Sequence, residues 1–441
     1  MAEGIAEAPV TVTDRLTHPF RRLMQQQSAS GIILIACAAL AFAWANSPWA
    51  DSYFHMKHIE TAVEFGSFHL HLHLEHVVND LLMAIFFFVV GLEIKREFMV
   101  GELAGIRRAA LPIAGAIGGM VVPALIYVAF NLGEPTLRGW GVPMATDIAF
   151  AVGVLAIIGD RVPLALKVFL LALAIVDDLG AVIVIAVFYT ADLDVNALLI
   201  SLVVWGVALL YGRFGHARAM VFVLIGAVCW YFMHESGVHA TIAGVLMALS
   251  VPLGGTMRED RLTDEVRQMV MPAAGGVEVK VERMGYLVDR ARSPLLSFEH
   301  TLSPWVAFFI MPVFAVFNAG VAVGGSSEGS IIGLATIGAF FGLLLGKPVG
   351  IAATAWLTVR VGLASFPRDA NWPGVVGIGC LGGIGFTMAL FVANLAFGPT
   401  LALDQAKIGV LSASVVSAVV GYILLLRAFP KVERETATAT A

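Results

Sequence analysis

Charge is scarce in this chain. Asp, Glu, Lys and Arg together make up 13% of the 441 residues, while 59% are hydrophobic. A soluble domain carries about a quarter charged residues, so this balance excludes a water-soluble enzyme and implies a polytopic membrane protein. Cysteine is equally sparse. Cys37, Cys229 and Cys380 each fall inside an apolar run, a pattern that excludes a disulfide framework or a cysteine metal centre and fits packing residues. Residues 1–30 contain Arg15, Arg21 and Arg22 but no compact apolar core before a small-residue cleavage site. They are not expected to act as a cleaved secretory signal. The stretch Thr13–Gln27 is expected to form a short amphipathic helix on the membrane surface. Nothing in the chain marks a nucleic-acid or organic-cofactor site.

What the chain has in excess is long apolar runs. They cover about 30–47, 77–95, 109–130, 141–159, 163–189, 195–212, 218–233, 238–252, 303–323, 330–358, 373–397 and 405–426. A crossing needs about 20 residues, and the chain is long enough for a dozen. Twelve crossings put both termini on one side of the bilayer. Alternate loops then hold 23 Lys and Arg against 3, with Lys347 inside the tenth run. Positive charge marks the cytoplasmic side, so both termini are expected there. The chain divides into a cytoplasmic segment 1–29, crossings one to eight over 30–252, a charged cytoplasmic loop 253–302, crossings nine to twelve over 303–426, and a tail 427–441. On the outer side Phe68-His-Leu-His-Leu-His-Leu74 alternates with period two. That predicts a short strand with His69, His71 and His73 on one face, in an exterior hairpin that packs on the membrane domain or on a second subunit. Metal binding by the three histidines is the less favoured reading.

Two crossings are built to break. The fourth contains Gly141-Val-Pro-Met-Ala-Thr-Asp147. Pro143 lacks a donor, and Thr146 and Asp147 favour capping over a helix interior. The eleventh contains Gly377-Ile-Gly-Cys-Leu-Gly-Gly-Ile-Gly-Phe-Thr387, with five glycines in nine residues. Unwound backbone at bilayer depth must be buried in protein or line a cavity. Each break lies in the second crossing of a triplet, about 109–189 and 330–426, and the two triplets enter the membrane from opposite sides. This is an inverted-repeat, all-α transporter layout with a substrate site where the interrupted helices cross.

Four charged residues fall in that zone: Asp147 in crossing four, Asp177 and Asp178 in crossing five, and Lys347 in crossing ten. A carboxylate at bilayer depth costs about 2.5–3.5 kcal/mol or more, so an adjacent pair requires a function. Helical neighbours point about 100° apart, so one of the pair can face a water-filled funnel while the other faces a helix. Lys347 is the natural partner for one of them, since pairing offsets part of each burial cost. Carboxylates and freed carbonyls suit a hard cation such as Na⁺ or Li⁺. Protons compete for the same oxygens, and that competition, with alternating access, is antiport.

These motifs resemble a known family. Ala145-Thr-Asp-Ile-Ala-Phe150, Ala174-Ile-Val-Asp-Asp-Leu-Gly-Ala181, Gly346-Lys-Pro348, Gly383-Ile-Gly-Phe-Thr-Met388 and Ser236-Gly-Val-His-Ala-Thr241 are similar to those of the NhaA family of bacterial sodium/proton antiporters. The resemblance runs from Val77-Val-Asn-Asp80 and Gly91-Leu-Glu-Ile-Lys-Arg-Glu97 through crossing twelve. It implies that Asp178 is the principal Na⁺ ligand and Asp177 its partner in binding and proton exchange. It implies that Lys347 pairs with Asp177 and takes part in protonation, and that Thr146 and Asp147 support the helix crossing by compensating half-helix dipoles. It also implies electrogenic exchange in the bacterial inner membrane and a homodimer through the exterior loop 51–76. Glu93, Glu97, Glu299 and His300 match the family's cytoplasmic pH-sensing funnel. Ser303 and Leu296, however, replace a histidine and a lysine found there, and the loop 253–298 is longer than usual. His239 is expected to be packed or hydrogen-bonded rather than a proton relay.

The competing readings are a sodium-coupled symporter of an organic solute, an intramembrane aspartyl protease and a channel. Crossings four and eleven offer few polar or aromatic side chains for a solute pocket. The protease's Gly-x-Gly-Asp signature is missing, and Lys347 lies where a channel would pass cations.

Overall fold

A computed structural model of the chain describes residues 12–65, 68–190, 193–214, 218–254, 293–323 and 330–430. Seven of its helices are long and apolar enough to cross a membrane: Leu74–Val100, Arg107–Asn131, Leu164–Phe188, Val195–Arg213, Pro294–Asn318, Leu334–Arg360 and Leu401–Ala428. Counting each of three bent pairs as one span brings the number among the described residues to ten, and two shorter apolar helices, Ala219–Glu235 and Thr241–Ser250, occupy the seventh and eighth runs. The bent pairs are Ala29–Ala45 with Ala50–Lys57, Pro135–Met144 with Ile148–Arg161, and Trp372–Gly382 with Phe386–Phe397. Crossings are numbered below in chain order.

Two expectations about element boundaries change. The surface helix expected over Thr13–Gln27 is continuous with the first crossing, in one helix from Val12 to Ala45. No proline or glycine lies between Gln27 and Ser30 to separate them. Crossing nine begins at Pro294, not at 303, because Ser293 caps it by accepting a hydrogen bond from Leu296 N. Glu299 and His300 therefore lie on this helix. The rest of the long charged loop, 255–292, is outside the described residues.

The two triplets, crossings three to five and ten to twelve, pack into one body. Crossings three and ten run in opposite directions, being seven crossings apart, and meet through Gly118 and Gly350. A Cβ on Gly118 would lie 2.3 Å from the Gly350 carbonyl, and one on Gly350 would lie 2.1 Å from that of Gly118. Only a residue without a side chain allows that approach. A second group of helices forms around crossings two and eight, with six and seven beside them. There a Cβ on Gly244 would lie 2.1 Å from the Ala84 carbonyl. Crossing nine joins crossing two through Arg96–Glu299 at 2.6 Å and, at the other end, Asn318 Nδ2 donating to Asn79 Oδ1 at 2.8 Å.

The segment expected on the outer side carries the hairpin. Glu60–Phe65 pairs antiparallel with Phe68–His73 in the register Glu60↔His73 to Phe65↔Phe68. The side chains of His69 and His71 lie outside the described residues. The short helix Ala50–Lys57 folds back at 114° across this end of the molecule. Tyr53 fixes it to crossing nine, its hydroxyl donating to the Val316 carbonyl at 2.8 Å and accepting from Gly320 N at 3.2 Å. Cys37 is half-buried and Cys229 and Cys380 are buried, and all three are free thiols.

Candidate cation site at the helix crossing

Both expected breaks occur. In crossing four a 3₁₀ stretch, Pro135–Met144, ends in extended backbone at Ala145 and restarts as an α-helix at Ile148 with a 42° bend. In crossing eleven Trp372–Gly382 and Phe386–Phe397 meet at 47° across Gly383–Gly385. The unwound segments satisfy one another. Asp147 N donates to the Ile384 carbonyl at 2.7 Å, and Thr146 Oγ1 donates to the Gly382 carbonyl at 2.8 Å. These are carbonyls that a continuous helix would have used itself.

The Asp147 carboxylate closes the other ends. Its Oδ1 accepts from Phe150 N at 3.0 Å, in the first turn of the second half of crossing four. Its Oδ2 accepts from Thr387 N at 3.2 Å and Thr387 Oγ1 at 2.5 Å, in the first turn of the second half of crossing eleven. One carboxylate thus caps two helix N-termini, where negative charge is favoured. Ser414 of crossing twelve completes the junction by accepting from Phe386 N at 3.1 Å. Thr387 and Ser414 escaped the sequence reading. Thr387 lies within the quoted Gly383–Met388 motif, but its partner is 240 residues away, and Ser414 is an ordinary helical serine until the fold places it.

Asp177, Asp178 and Lys347 are brought to this junction and buried, with at most 1% of each exposed. Lys347 Nζ donates to Asp177 Oδ2 at 2.5 Å and to Thr146 Oγ1 at 2.9 Å. The tenth crossing aims the lysine from a widened, π-helical turn over Gly342–Gly346, in which Lys347 N bonds back to the Gly342 carbonyl. Asp177 Oδ1 and Asp178 Oδ1 are buried without a hydrogen-bond partner among the described residues. The charges that act on Asp178 are those of Asp177, Glu93, Asp147 and Lys347. Ionised together, three carboxylates and one ammonium would leave an excess of negative charge around a buried acid. Burial makes that excess costly until a cation or protons neutralise it.

The funnel candidates fall in a second cluster. Arg96 bridges Glu299 at 2.6 Å and Glu97 at 3.1 Å, and Glu97 Oε2 accepts from Glu102 N at 3.0 Å. Glu93 is half-buried between this cluster and Asp178. His300 is exposed at the rim and acts electrostatically on Glu299. Ser303, at the family's histidine position, donates to the Glu299 carbonyl at 2.7 Å. Leu296 offers only its backbone N–H to Ser293. His239 is packed against the Phe391 ring at 5.3 Å and hydrogen-bonds Thr241 Oγ1 at 3.2 Å. Among the described residues no three His, Cys, Asp or Glu side chains converge on a metal position.

An all-helical membrane domain with two interrupted helices crossing beside buried, unequal carboxylates defines an inverted-repeat secondary ion transporter. Residues 21–425 match the Na⁺/H⁺ antiporter 1 family, and the chain belongs to it. It is 47% identical over 434 residues to the Na⁺/H⁺ antiporter NhaA of Oleidesulfovibrio alaskensis, covering 96% of each chain. It is 44% identical to the protein of that name in Rhodopirellula baltica, covering 97% of this chain and 98% of the relative. It is also 44% identical to that of Wolinella succinogenes, covering 91% of both. The chain is an integral membrane Na⁺/H⁺ antiporter and not an enzyme.

Proposed function

We propose that this antiporter exports Na⁺ or Li⁺ from the bacterial cytoplasm in exchange for external protons, and that Asp177 and Asp178 are where the two ions compete. The observation that carries this reading is the pair of buried carboxylate oxygens, Asp177 Oδ1 and Asp178 Oδ1, that no donor among the described residues satisfies. Asp178 accepts no hydrogen bond from a described residue and is the principal ligand for a dehydrated Na⁺, a hard cation that takes oxygen ligands. Asp177 contributes its free oxygen while its other oxygen holds Lys347. When Na⁺ arrives it neutralises the excess negative charge and weakens the hold on the lysine. When Na⁺ leaves, protons replace it. More than one proton per Na⁺ makes the exchange electrogenic, driven by an inside-negative potential as well as by the proton gradient. The transported ions are its only ligands, and no organic cofactor takes part.

The chain resides in the inner membrane with both termini cytoplasmic, as the 23-to-3 asymmetry of Lys and Arg supports. On that side Glu93, Glu97, Glu299 and His300 line the entrance, and their charge sets the pH range of activity. The outer hairpin supports a homodimer through residues 51–76. A lone two-stranded hairpin is marginal in water, and pairing with a second copy supplies what it lacks. The deciding experiment uses purified protein in liposomes with a preset pH gradient. Addition of Na⁺ or Li⁺ should dissipate the gradient, faster when the potential drives net positive charge in the direction of the protons. Cation-independent proton flow, or none, would defeat the reading.

A further inference from the structure

The second half of crossing eleven carries a stripe of side chains that leads away from the carboxylates. Thr387 touches Asp147; Phe391 and Asn394 follow at positions four and seven residues on, on the same helix face. The stripe points to the end of the molecule that bears the Glu60–His73 hairpin, where crossing two begins and crossing nine ends. It is stopped there on every level. Phe391, 1% exposed, is gripped by the rings of Phe87 at 5.6 Å, His239 at 5.3 Å and Phe314 at 6.1 Å. Beyond it Asn394 Nδ2 donates to Asn318 Oδ1 at 2.8 Å, and Asn318 Nδ2 donates to Asn79 Oδ1 at 2.8 Å. Asn318 is wholly buried.

The three asparagines differ in what they connect. Asn79 and Asn318 lie on crossings two and nine, which Arg96–Glu299 also ties together at the opposite end. Tyr53 and Asn46 hold the hairpin end of crossing nine as well, with Asn46 Nδ2 donating to the Val321 carbonyl at 2.7 Å. Asn394 belongs instead to the triplet body that carries the carboxylates. The Asn318–Asn394 bond therefore ties crossing nine to the triplet body, whereas Asn79–Asn318 ties crossing nine to crossing two, which it already meets at the other end. A neutral amide pair suits such a place, because its net strength is modest and it exchanges readily for water. The Phe391 contacts are non-directional and re-form without cost in geometry.

We propose that Phe391 and the Asn318–Asn394 bond form the hairpin-side gate of the antiporter, closed in this structure and parted once in every transport cycle to connect the carboxylates with that side. The proposal rests on the antiport reading above. It assigns to Asn318, Asn394 and Phe391 a positioning role, since none of them touches the ion.

The test is a reversible bridge across the gate and, for comparison, one beside it. In a parent with Cys37, Cys229 and Cys380 replaced by serine, two double variants are made: Asn318→Cys with Asn394→Cys, and Asn79→Cys with Asn318→Cys. Each is bridged in liposomes with a short bis-methanethiosulfonate, and the bridged fraction is counted by mass spectrometry. Na⁺-dependent exchange should fall in proportion to the Asn318–Asn394 bridged fraction and return on reduction. The Asn79–Asn318 bridge should leave exchange at the level of its unbridged variant. Exchange that continues in the gate-bridged fraction overturns the proposal. So does equal loss from both bridges, which would mark a merely structural region, or failure of the Asn318–Asn394 pair to bridge at all. Exchange by the cysteine-free parent separates the two inferences. None there fails the antiport reading, while exchange there with an indifferent gate bridge fails the gate.

Discussion

Asp147 and Asp178 are the same side chain at nearly the same place, each 1% exposed, yet their surroundings are opposite. Asp147 has a donor for both oxygens: Phe150 N on one, Thr387 N and Oγ1 on the other. Asp178 has none among the described residues and stands among other acidic side chains. Burial alone does not separate these two acids. The number of donors does. A carboxylate whose lone pairs are filled by fixed helix ends gains nothing from Na⁺. One left unfilled in a dry site must be satisfied by whatever cation or proton reaches it.

The contrast is broken most sharply by Asp178→Asn. The amide removes an unpaired buried charge but cannot cycle between proton and cation. Exchange in liposomes should vanish while the thermal midpoint in detergent stays level or rises. A mutant that still exchanges would place the ion elsewhere. Lys347→Gln should act next most strongly on stability, because it leaves Asp177 buried without its partner, a change that costs about 3–5 kcal/mol when a buried pair is broken. Adding Asp177→Asn should restore most of that loss, and a double-mutant cycle on the thermal midpoints reads the coupling. Additive effects would mean that the two side chains are not paired in the membrane. Asp147→Ala strands three donors at once and should cost at least about 3 kcal/mol, since each unpaired donor carries its own penalty of about 1–3 kcal/mol. Its signature is a lowered thermal midpoint out of proportion to that of Asp178→Asn. An unchanged midpoint would show that the helix ends do not depend on this acid.

Much of this was readable before any fold existed, for reasons that differ between elements. The breaks announce themselves locally: Pro143 and the Gly377–Gly385 run weaken a helix, and the chain unwinds just after Met144 and just after Gly382. Lys347 and the acid pair stand out because charge at bilayer depth has so few uses. Residues whose meaning depends on a distant partner were silent. Thr387, Ser414 and Asn394 are unremarkable in helical apolar sequence, and only the fold sets them against Asp147, Phe386 N and Asn318. The start of crossing nine at Pro294 was hidden because polar residues such as Glu299 and His300 interrupt its first turns, where the Arg96 ion pair absorbs one of them. The continuation of the first crossing back to Val12 was missed for a similar reason, since polarity was read there as a boundary that the backbone does not make.

The smallest change sharpens the comparison furthest. Thr387→Val keeps the volume of the side chain and the backbone N–H but removes one donor, the hydroxyl 2.5 Å from Asp147 Oδ2. If Asp147 is structural because its oxygens are filled, losing one of three donors should move it only part of the way toward the state of Asp178. The expected cost is about 1.5–3 kcal/mol, the range for a hydrogen bond to a charged group. Exchange should persist at a reduced rate, and Thr387→Ser should recover both midpoint and rate because the hydroxyl returns. Combined with Asp147→Asn, the valine should cost little more, as the bond it removes is already weakened. A threonine variant that abolished exchange outright with its midpoint intact would instead make Asp147 a working member of the ion site, and the division between the two acids would fall.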